Sequence, residues 1–557
     1  MLFTLCYGAF FASLVAASPS RRKTIAPTVS LPYATYQGST NGFVNHFLGM
    51  SYASPPLGDL RFRAPVDPWP VTEVQDATAF KNVCIGVNQT AGRSPWGGIA
   101  YGEDCLYISV SAPATATNIS KLPVLFFISG GGFATLSNVN YNFDQFINTS
   151  GGNVVVVQAN YRVGALGFLA GKEVAADGHV NAGLLDQRKA LHWVKSYIGL
   201  FGGDPNHVVI FGASAGAGSV GLQMSAYGGR DDKLFVGAFA DAAFYTNVND
   251  ATFQESQFGQ LASTVGCGKA VSKLACLRGI KITAFQVGNS LGSYPGQNMT
   301  SLFQWNAVVD GDFIQDVPLR LYQHGNFVKV PTIVGEVTDE GTFFAYNAAT
   351  PAEVSRFMSA NYPGLSTQNL STINSLYPIG TPFPFHAAYF PSAAAAYGDA
   401  AFKCPGHLIA QSQSKARKNA SVWKYSFNQG ITLLEAAGYG VAHTTDLGAI
   451  FGPHVGPSTG ILDVTNGITN GLIFGPYASE NAALVPIMMG YTISFVRFLD
   501  PNAKKYGLAP TWNALNGSTG LQRLLVQNIG TSMEAIPAPF QSKCAFWNEL
   551  LLLPTHV

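Results

Sequence analysis

Residues 207–218 read as a short apolar strand, Val208-Val209-Ile210-Phe211, followed by Gly212-Ala213-Ser214-Ala215-Gly216 and then by small residues that open a helix. No other feature constrains the chain as much. A serine on so sharp a turn needs glycine at its flanks, because the backbone is strained there and a Cβ would collide with the neighbouring strand and helix. The turn lifts the hydroxyl to the edge of a sheet, which is the arrangement of a nucleophile elbow. Gly-x-Ser-x-Gly alone is a weak signal in a chain with 60 glycines. The apolar run before it and the small-residue helix after it supply the context that the motif requires.

Other apolar, β-branched and aromatic runs read as buried strands: Val124 to Ile128, Val154 to Val157, Val330 to Val334 and Val422 to Phe427. Helical periodicity separates them. It is clearest over Gly183 to Ile198, where Leu184, Leu191, Val194 and Ile198 share one face. Such alternation predicts an α/β chain with an open, mostly parallel sheet covered on both sides, whose ligands sit beyond the carboxyl ends of the strands. At 557 residues the chain is long, yet no proline-, serine- or charge-rich stretch divides it, so residues 18–557 are expected to form a single domain.

With 47% hydrophobic and 11% charged residues the chain can bury a large core, and a net charge of +1 gives no electrostatic reason to expect nucleic acid. Residues 1–17 are apolar and end Val15-Ala16-Ala17, as a signal peptide does, and Arg21-Arg22-Lys23 offers a second processing site. Sequons stand at Asn88, Asn118, Asn148, Asn298, Asn369, Asn419 and Asn516. Loss of Cys6 with the signal leaves six cysteines, an even number that suits three bridges in an oxidising compartment. The expectation is a secreted, glycosylated protein without a stable membrane anchor. There is no Cys-x-x-Cys and no His-x-x-x-His, so neither a metal nor a cofactor is expected.

Val124 to Ile128 runs directly into Ser129-Gly130-Gly131-Gly132-Phe133. Acyl transfer through a tetrahedral intermediate needs backbone N–H donors aimed at the developing oxyanion, and consecutive glycines allow that close approach. Gly131, Gly132 and Ala215 are the candidate donors. A nucleophilic serine also needs a base and an acid to orient it, in the order serine, carboxylate, histidine for this architecture. Glu340 and His443 fit that order. On spacing alone Glu336 or Asp339 serves nearly as well as Glu340, and His407 or His454 nearly as well as His443.

At these residues the chain resembles the carboxylesterase type B and cholinesterase family, which includes fungal lipases and secreted esterases. The resemblance covers nearly all of the mature chain. It is carried by Phe47-Leu48-Gly49-Met50-Ser51-Tyr52-Ala53 with Pro55-Pro56, by Glu103-Asp104-Cys105-Leu106-Tyr107, by Asn160-Tyr161-Arg162-Val163-Gly164, by Phe201-Gly202-Gly203-Asp204-Pro205 and by the elbow. It implies an α/β-hydrolase fold, with Ser214 as nucleophile, Glu340 as acid, His443 as base and the three oxyanion donors above. It also implies bridges Cys84–Cys105, Cys267–Cys276 and Cys404–Cys544. Glu103, Arg162, Asp186 and Asp204 resemble the family's buried ion pairs, and Ser219 reads as a structural helix residue.

Two departures bear on substrate. Ala213 stands where the family usually has the glutamate that helps hold a choline cation, which weighs against a quaternary-ammonium substrate even with Trp96 in the Cys84–Cys105 loop. That loop forms an amphipathic lid in the family's fungal lipases, but here it is short, rich in glycine and without an apolar helical face. Phe133, Ser301, Phe303 and Trp305 resemble substrate-pocket residues whose bulk would shorten the acyl chain accepted. The resulting expectation is a serine esterase acting on dissolved short- to medium-chain or aromatic esters. The alternatives are a triacylglycerol lipase and a non-catalytic binding homologue. Oligomeric state is left open.

Overall fold

The computed structural model describes residues 26–93, 99–290, 292–293, 296–417, 421–456, 470–517 and 520–553. The proposed signal peptide, the basic triplet at 21–23, Trp96 and Asn419 lie outside them.

A twelve-stranded sheet organises the chain. In sequence order its strands are β1 (Ser39–Thr40), β2 (Val44–Ser51), β3 (Tyr107–Pro113), β4 (Leu122–Ile128), β5 (Val155–Ala159), β6 (Gly203–Ala213), β7 (Gly237–Asp241), β8 (Thr332–Gly335), β9 (Val422–Phe427), β10 (Asn516–Gly517), β11 (Gly520–Val526) and β12 (Ser532–Ala535). Across the sheet they run β10-β11-β9-β8-β7-β6-β4-β5-β3-β2-β1, with β12 paired to β11. From β5 to β11 every neighbouring pair is parallel, while both ends are antiparallel. The five strands expected from the apolar runs are all present: β9 has the expected bounds, and the other four are shifted or lengthened by a few residues at their ends. The antiparallel margins and β7 are additions to that expectation.

Strand alternation sends side chains to two cores, one on each face. Along β4, Val124, Phe126 and Ile128 enter one core, and Leu125 and Phe127 enter the other. Along β6, Val208 and Ile210 join the first, and Val209, Phe211 and Ala213 the second. Helix α1 (Ala182–Tyr197) covers the first face through Leu184, Leu191 and Val194, as its sequence period predicts. A later helix, Leu484–Phe498, covers the other through Met488, Tyr491 and Phe495. Each such side chain contributes roughly 1.5–3 kcal/mol when fully buried, so the sheet is held by dry packing on both sides.

The order β5-β4-β6 reverses the direction of winding at β4, so the carboxyl ends of β4 and β6 flank a topological switch point. Their register pairs Gly212 with Ile128. The glycine loop after β4 and the elbow after β6 therefore leave the sheet side by side.

Disulfides join Cys84 to Cys105, Cys267 to Cys276 and Cys404 to Cys544. Arg61 grips Glu103 with two bonds of 2.8 and 2.7 Å, and Arg162 grips Asp186 in the same way. Asp204 departs from the expectation of a buried ion pair. It is half-buried, and its Oδ1 caps the N–H of Asn206 at 2.8 Å in a local turn. Ser219 is fully buried on the helix after the elbow and accepts from Gln187 at 2.9 Å. Among the described residues no helix is long and apolar enough to cross a membrane, and no group of His, Cys, Asp or Glu is arranged to hold a metal.

Of the sequon asparagines described, Asn88, Asn118, Asn148, Asn298 and Asn516 are exposed. Asn369 is half-buried in the first turn of the helix Thr367–Leu376, where its Oδ1 accepts the N–H of the capping residue Ser366.

Candidate active site

Ser214 sits at φ 60° and ψ −126°, between the end of β6 and the start of helix α2 (Ala215–Gly229). That conformation costs a non-glycine residue on the order of 1–3 kcal/mol. Its surroundings impose it: the Ser214 N–H donates to the Asp241 carbonyl at 2.9 Å, and its own carbonyl accepts from Gly218 and Phe244. The flanking glycines are steric necessities. A Cβ on Gly212 would lie 2.1 Å from the Gly216 carbonyl oxygen, and one on Gly216 would lie 2.1 Å from that of Ile128.

The glycine loop is equally tight. A Cβ on Gly130 would lie 2.6 Å from the Ala213 carbonyl oxygen and 3.0 Å from the Ser214 Cβ. Gly131 and Gly132 have φ of 119° and 64°, values that disfavour any side chain. The N–H groups of Gly131, Gly132 and Ala215 have no acceptor among the described residues. Ala215 opens α2, where the first N–H groups of a helix are free and its dipole favours negative charge.

Glu340 and His443 lie on the loops after β8 and β9. His443 Nδ1 is 2.5 Å from Glu340 Oε2, and Glu340 Oε1 accepts the Val337 N–H at 2.8 Å. Both side chains are buried. A carboxylate on Nδ1 fixes the tautomer that leaves Nε2 as the acceptor. His443 Nε2 is buried and has no hydrogen-bond partner among the described residues. The imidazole packs against Phe402, with ring centroids 4.4 Å apart, and Phe402 packs on Phe244, whose N–H holds the Ser214 carbonyl.

The alternative carboxylates and histidines have other partners. Glu336 pairs with Lys424 at 2.5 Å and Arg523 at 2.7 Å, and these two cations hold it below the usual carboxylate range against the opposing effect of burial. Asp339 accepts the Val441 N–H at 2.9 Å and so ties the two loops together. Burial raises its pKa. His407 is buried, and burial, aided by Lys424, pushes it down to about 3. His454 is exposed.

Phe303 presses its ring on the glycine loop, since a Cβ on Gly132 would lie 2.2 Å from Phe303 Cε1. It also packs edge-on to Phe244 and Phe344, and Phe344 stacks on Phe402. Phe133 is buried between Phe168 and Phe244. Ser301 is buried with its hydroxyl unpaired among the described residues, while Trp305 lines a small polar cavity with Gln257, Gln260 and Gln304. Phe244, Phe344 and Phe402 were missing from the sequence-based set. No local motif marks them, because they are gathered from three separate segments.

The arrangement is suited to acyl transfer: a serine on a strained turn, a carboxylate-oriented imidazole and three unpaired N–H donors. A profile of the Carboxylesterase family matches residues 26–547. The chain is 46% identical to Aspergillus niger EstA, whose crystal structure superimposes with a TM-score of 0.89 over 96% of this chain and 99% of that one. It is 32% identical to Secreted lipase 1 of Botryotinia fuckeliana over 91% of this chain and 90% of that protein. It is also 32% identical to Lipase 1 of Geotrichum candidum, over 76% and 83% of the two chains. The chain therefore belongs to the carboxylesterase type B family of α/β-hydrolases and is a serine hydrolase of that family.

Proposed function

We propose that this chain is a secreted esterase that forms an acyl-enzyme on Ser214 and prefers dissolved short- to medium-chain or aromatic esters. The buried His443–Glu340 bond, with Nε2 left unpaired, carries the reading. Ser214 Oγ attacks the ester carbonyl carbon and passes its proton to His443 Nε2. The carbonyl oxygen takes up the negative charge opposite the N–H groups of Gly131, Gly132 and Ala215, each worth about 10²–10³ in kcat. Collapse breaks the bond to the alcohol oxygen, which leaves with the proton from His443. Water then attacks the acyl-enzyme, gives its proton to His443, and releases the carboxylic acid as Ser214 regains its hydrogen.

The aromatic cluster supports the substrate preference. Phe303, Phe344 and Phe402 crowd the side of the oxyanion loop and the imidazole, and each methylene they exclude forfeits about 0.8 kcal/mol of binding. Secretion is supported by three disulfides, by exposed sequons and by the names of relatives such as Secreted lipase 1.

A lipase reading is favoured by those same relatives' names. Against it, the described residues between Cys84 and Cys105 form no helix that could serve as an apolar lid. Hydrolysis of p-nitrophenyl esters from acetate to palmitate, each below and above saturation and with Ser214→Ala alongside, separates the readings. A fast short-chain rate lost in the variant is the expected result. A rate that rises only above saturation on long chains would make the protein a lipase. Failure of a fluorophosphonate to label Ser214 would favour a non-catalytic binding protein.

A further inference from the structure

Behind the proposed triad lies a group of acids for which the mechanism above has no use. Asp241 ends β7, Tyr425 lies on β9, and Asp446 immediately precedes the short helix Leu447–Phe451. All three are fully buried. The Tyr425 hydroxyl is 2.7 Å from Asp241 Oδ1 and 2.7 Å from Asp446 Oδ2. Both are ordinary distances for an O–H···O bond. A tyrosine hydroxyl has one proton, so it can donate to only one of the two carboxyls. The other contact needs a second proton, supplied by the carboxyl itself.

Charge leads to the same count. No Lys, Arg or His among the described residues pairs with either aspartate. Asp241 Oδ2 and Asp446 Oδ1 are buried and take no bond from any N–H or O–H donor among those residues. Two unpaired carboxylates in one dry site would each carry a desolvation penalty of several kcal/mol, and like charges this close force one to keep its proton. The titratable groups facing the pair are Glu340 after β8, Tyr425 on β9 and Tyr477 across the second core, and His443, the partner of Glu340, lies three residues before Asp446 on the same loop. Helix α2, which packs on β7, carries no charged residue.

The group touches both halves of the site. The Asp241 carbonyl holds the Ser214 N–H at 2.9 Å. His443 and Asp446 lie on one tight turn, in which Thr445 bonds the Ala442 carbonyl through both its N–H and its hydroxyl. We propose that Asp241 and Asp446 share one proton around the Tyr425 hydroxyl, and that the single negative charge left on the pair positions and supports the imidazolium formed on His443. The carboxyl pKa values agree in direction. Burial, reinforced by the Asp446 charge, pushes Asp241 well above the usual range, and burial raises Asp446 to about 6.

The second half of this proposal rests on the esterase reading, and the first does not, so the test has two readouts. Infrared spectra of the whole protein at pH 8 should contain the carbonyl stretch of a carboxylic acid that disappears in Asp241→Asn. If no acid band is lost in either Asp241→Asn or Asp446→Asn, there is no shared proton and the proposal is overturned. In the second readout, Asp241→Asn, whose amide N–H replaces the acid proton, keeps the wild-type acid limb of kcat/KM for p-nitrophenyl acetate. The uncharged double variant Asp241→Asn/Asp446→Asn moves that limb to lower pH by about half a unit or more. A limb that stays in place in the double variant overturns the role assigned to the charge. If Ser214→Ala retained activity, the esterase reading would fail while the infrared result still stood.

Discussion

Gly132→Ala tests how closely the oxyanion loop is coupled to the aromatic cluster. The new methyl would lie 2.2 Å from Phe303 Cε1, on a backbone with φ of 64°. To reach ordinary carbon contact at ~3.5 Å the ring must retreat by about 1.3 Å. It is backed by Phe244 at 5.1 Å and Phe344 at 5.8 Å between centroids, so it cannot swing away freely. Overpacking of this kind costs about 1–3 kcal/mol, and the left-handed backbone adds roughly 1–2 kcal/mol for alanine. If the loop yields rather than the ring, the N–H groups of Gly131 and Gly132 move off the oxyanion, and kcat falls by about 10²–10³. The assay is kcat, KM and Tm on soluble p-nitrophenyl acetate for Gly132→Ala, Phe303→Ala and the double variant. Removing the ring should restore kcat of the alanine variant about tenfold or more, a coupling of ~1.4 kcal/mol. Wild-type kcat in Gly132→Ala, or a double variant no faster than the single, would show that the ring and the loop are not coupled.

Glu340→Gln should lower kcat/KM by about 10³–10⁴ through loss of the tautomer and the imidazolium partner, whereas Asp339→Asn, which loses only a loop contact, should be far milder; the reverse ranking would move the acid to Asp339. Removing the Cys404–Cys544 bridge, which spans 140 residues, should destabilise the fold by about 5 kcal/mol, and removing Cys267–Cys276, which spans 9, by only about 2.6 kcal/mol. Calorimetry of Ser pairs at each bridge checks the order. Because the folded-state pKa of Asp241 is raised, its stabilising contribution is complete below the unfolded value of ~3.9 and declines as pH climbs toward the folded value. The Tm of Asp241→Asn should therefore fall less than wild type between pH 4 and pH 8, and a parallel decline would contradict a buried protonated acid.

Much of this site could be read from local sequence, because its backbone parts are local. The elbow and the glycine loop each follow an apolar strand directly, and their glycines answer to contacts that any such turn must make. Strand β7 was harder to see. Gly237–Asp241 has no β-branched residue, and it is a strand because β6 and β8 enclose it on both sides. The choice between Glu336 and Glu340 could not be made from spacing for a similar reason. The two lie four residues apart, and their partners arrive from distant elements: Lys424 and Arg523 for one, His443 for the other. Asp241, Tyr425 and Asp446 come from two strands and a loop, so no window of sequence brings them together. Asp204 shows the opposite error. Its motif suggested a buried ion pair, and the structure gives it an exposed turn partner instead.

A covalent intermediate on Ser214 can be caught by rapid-quench mass spectrometry with p-nitrophenyl acetate. The expected result is a burst of one p-nitrophenol per chain and one acetyl group on the peptide that contains Ser214, with neither in Ser214→Ala. Acetylation at another residue, or turnover that persists in Ser214→Ala, would contradict it.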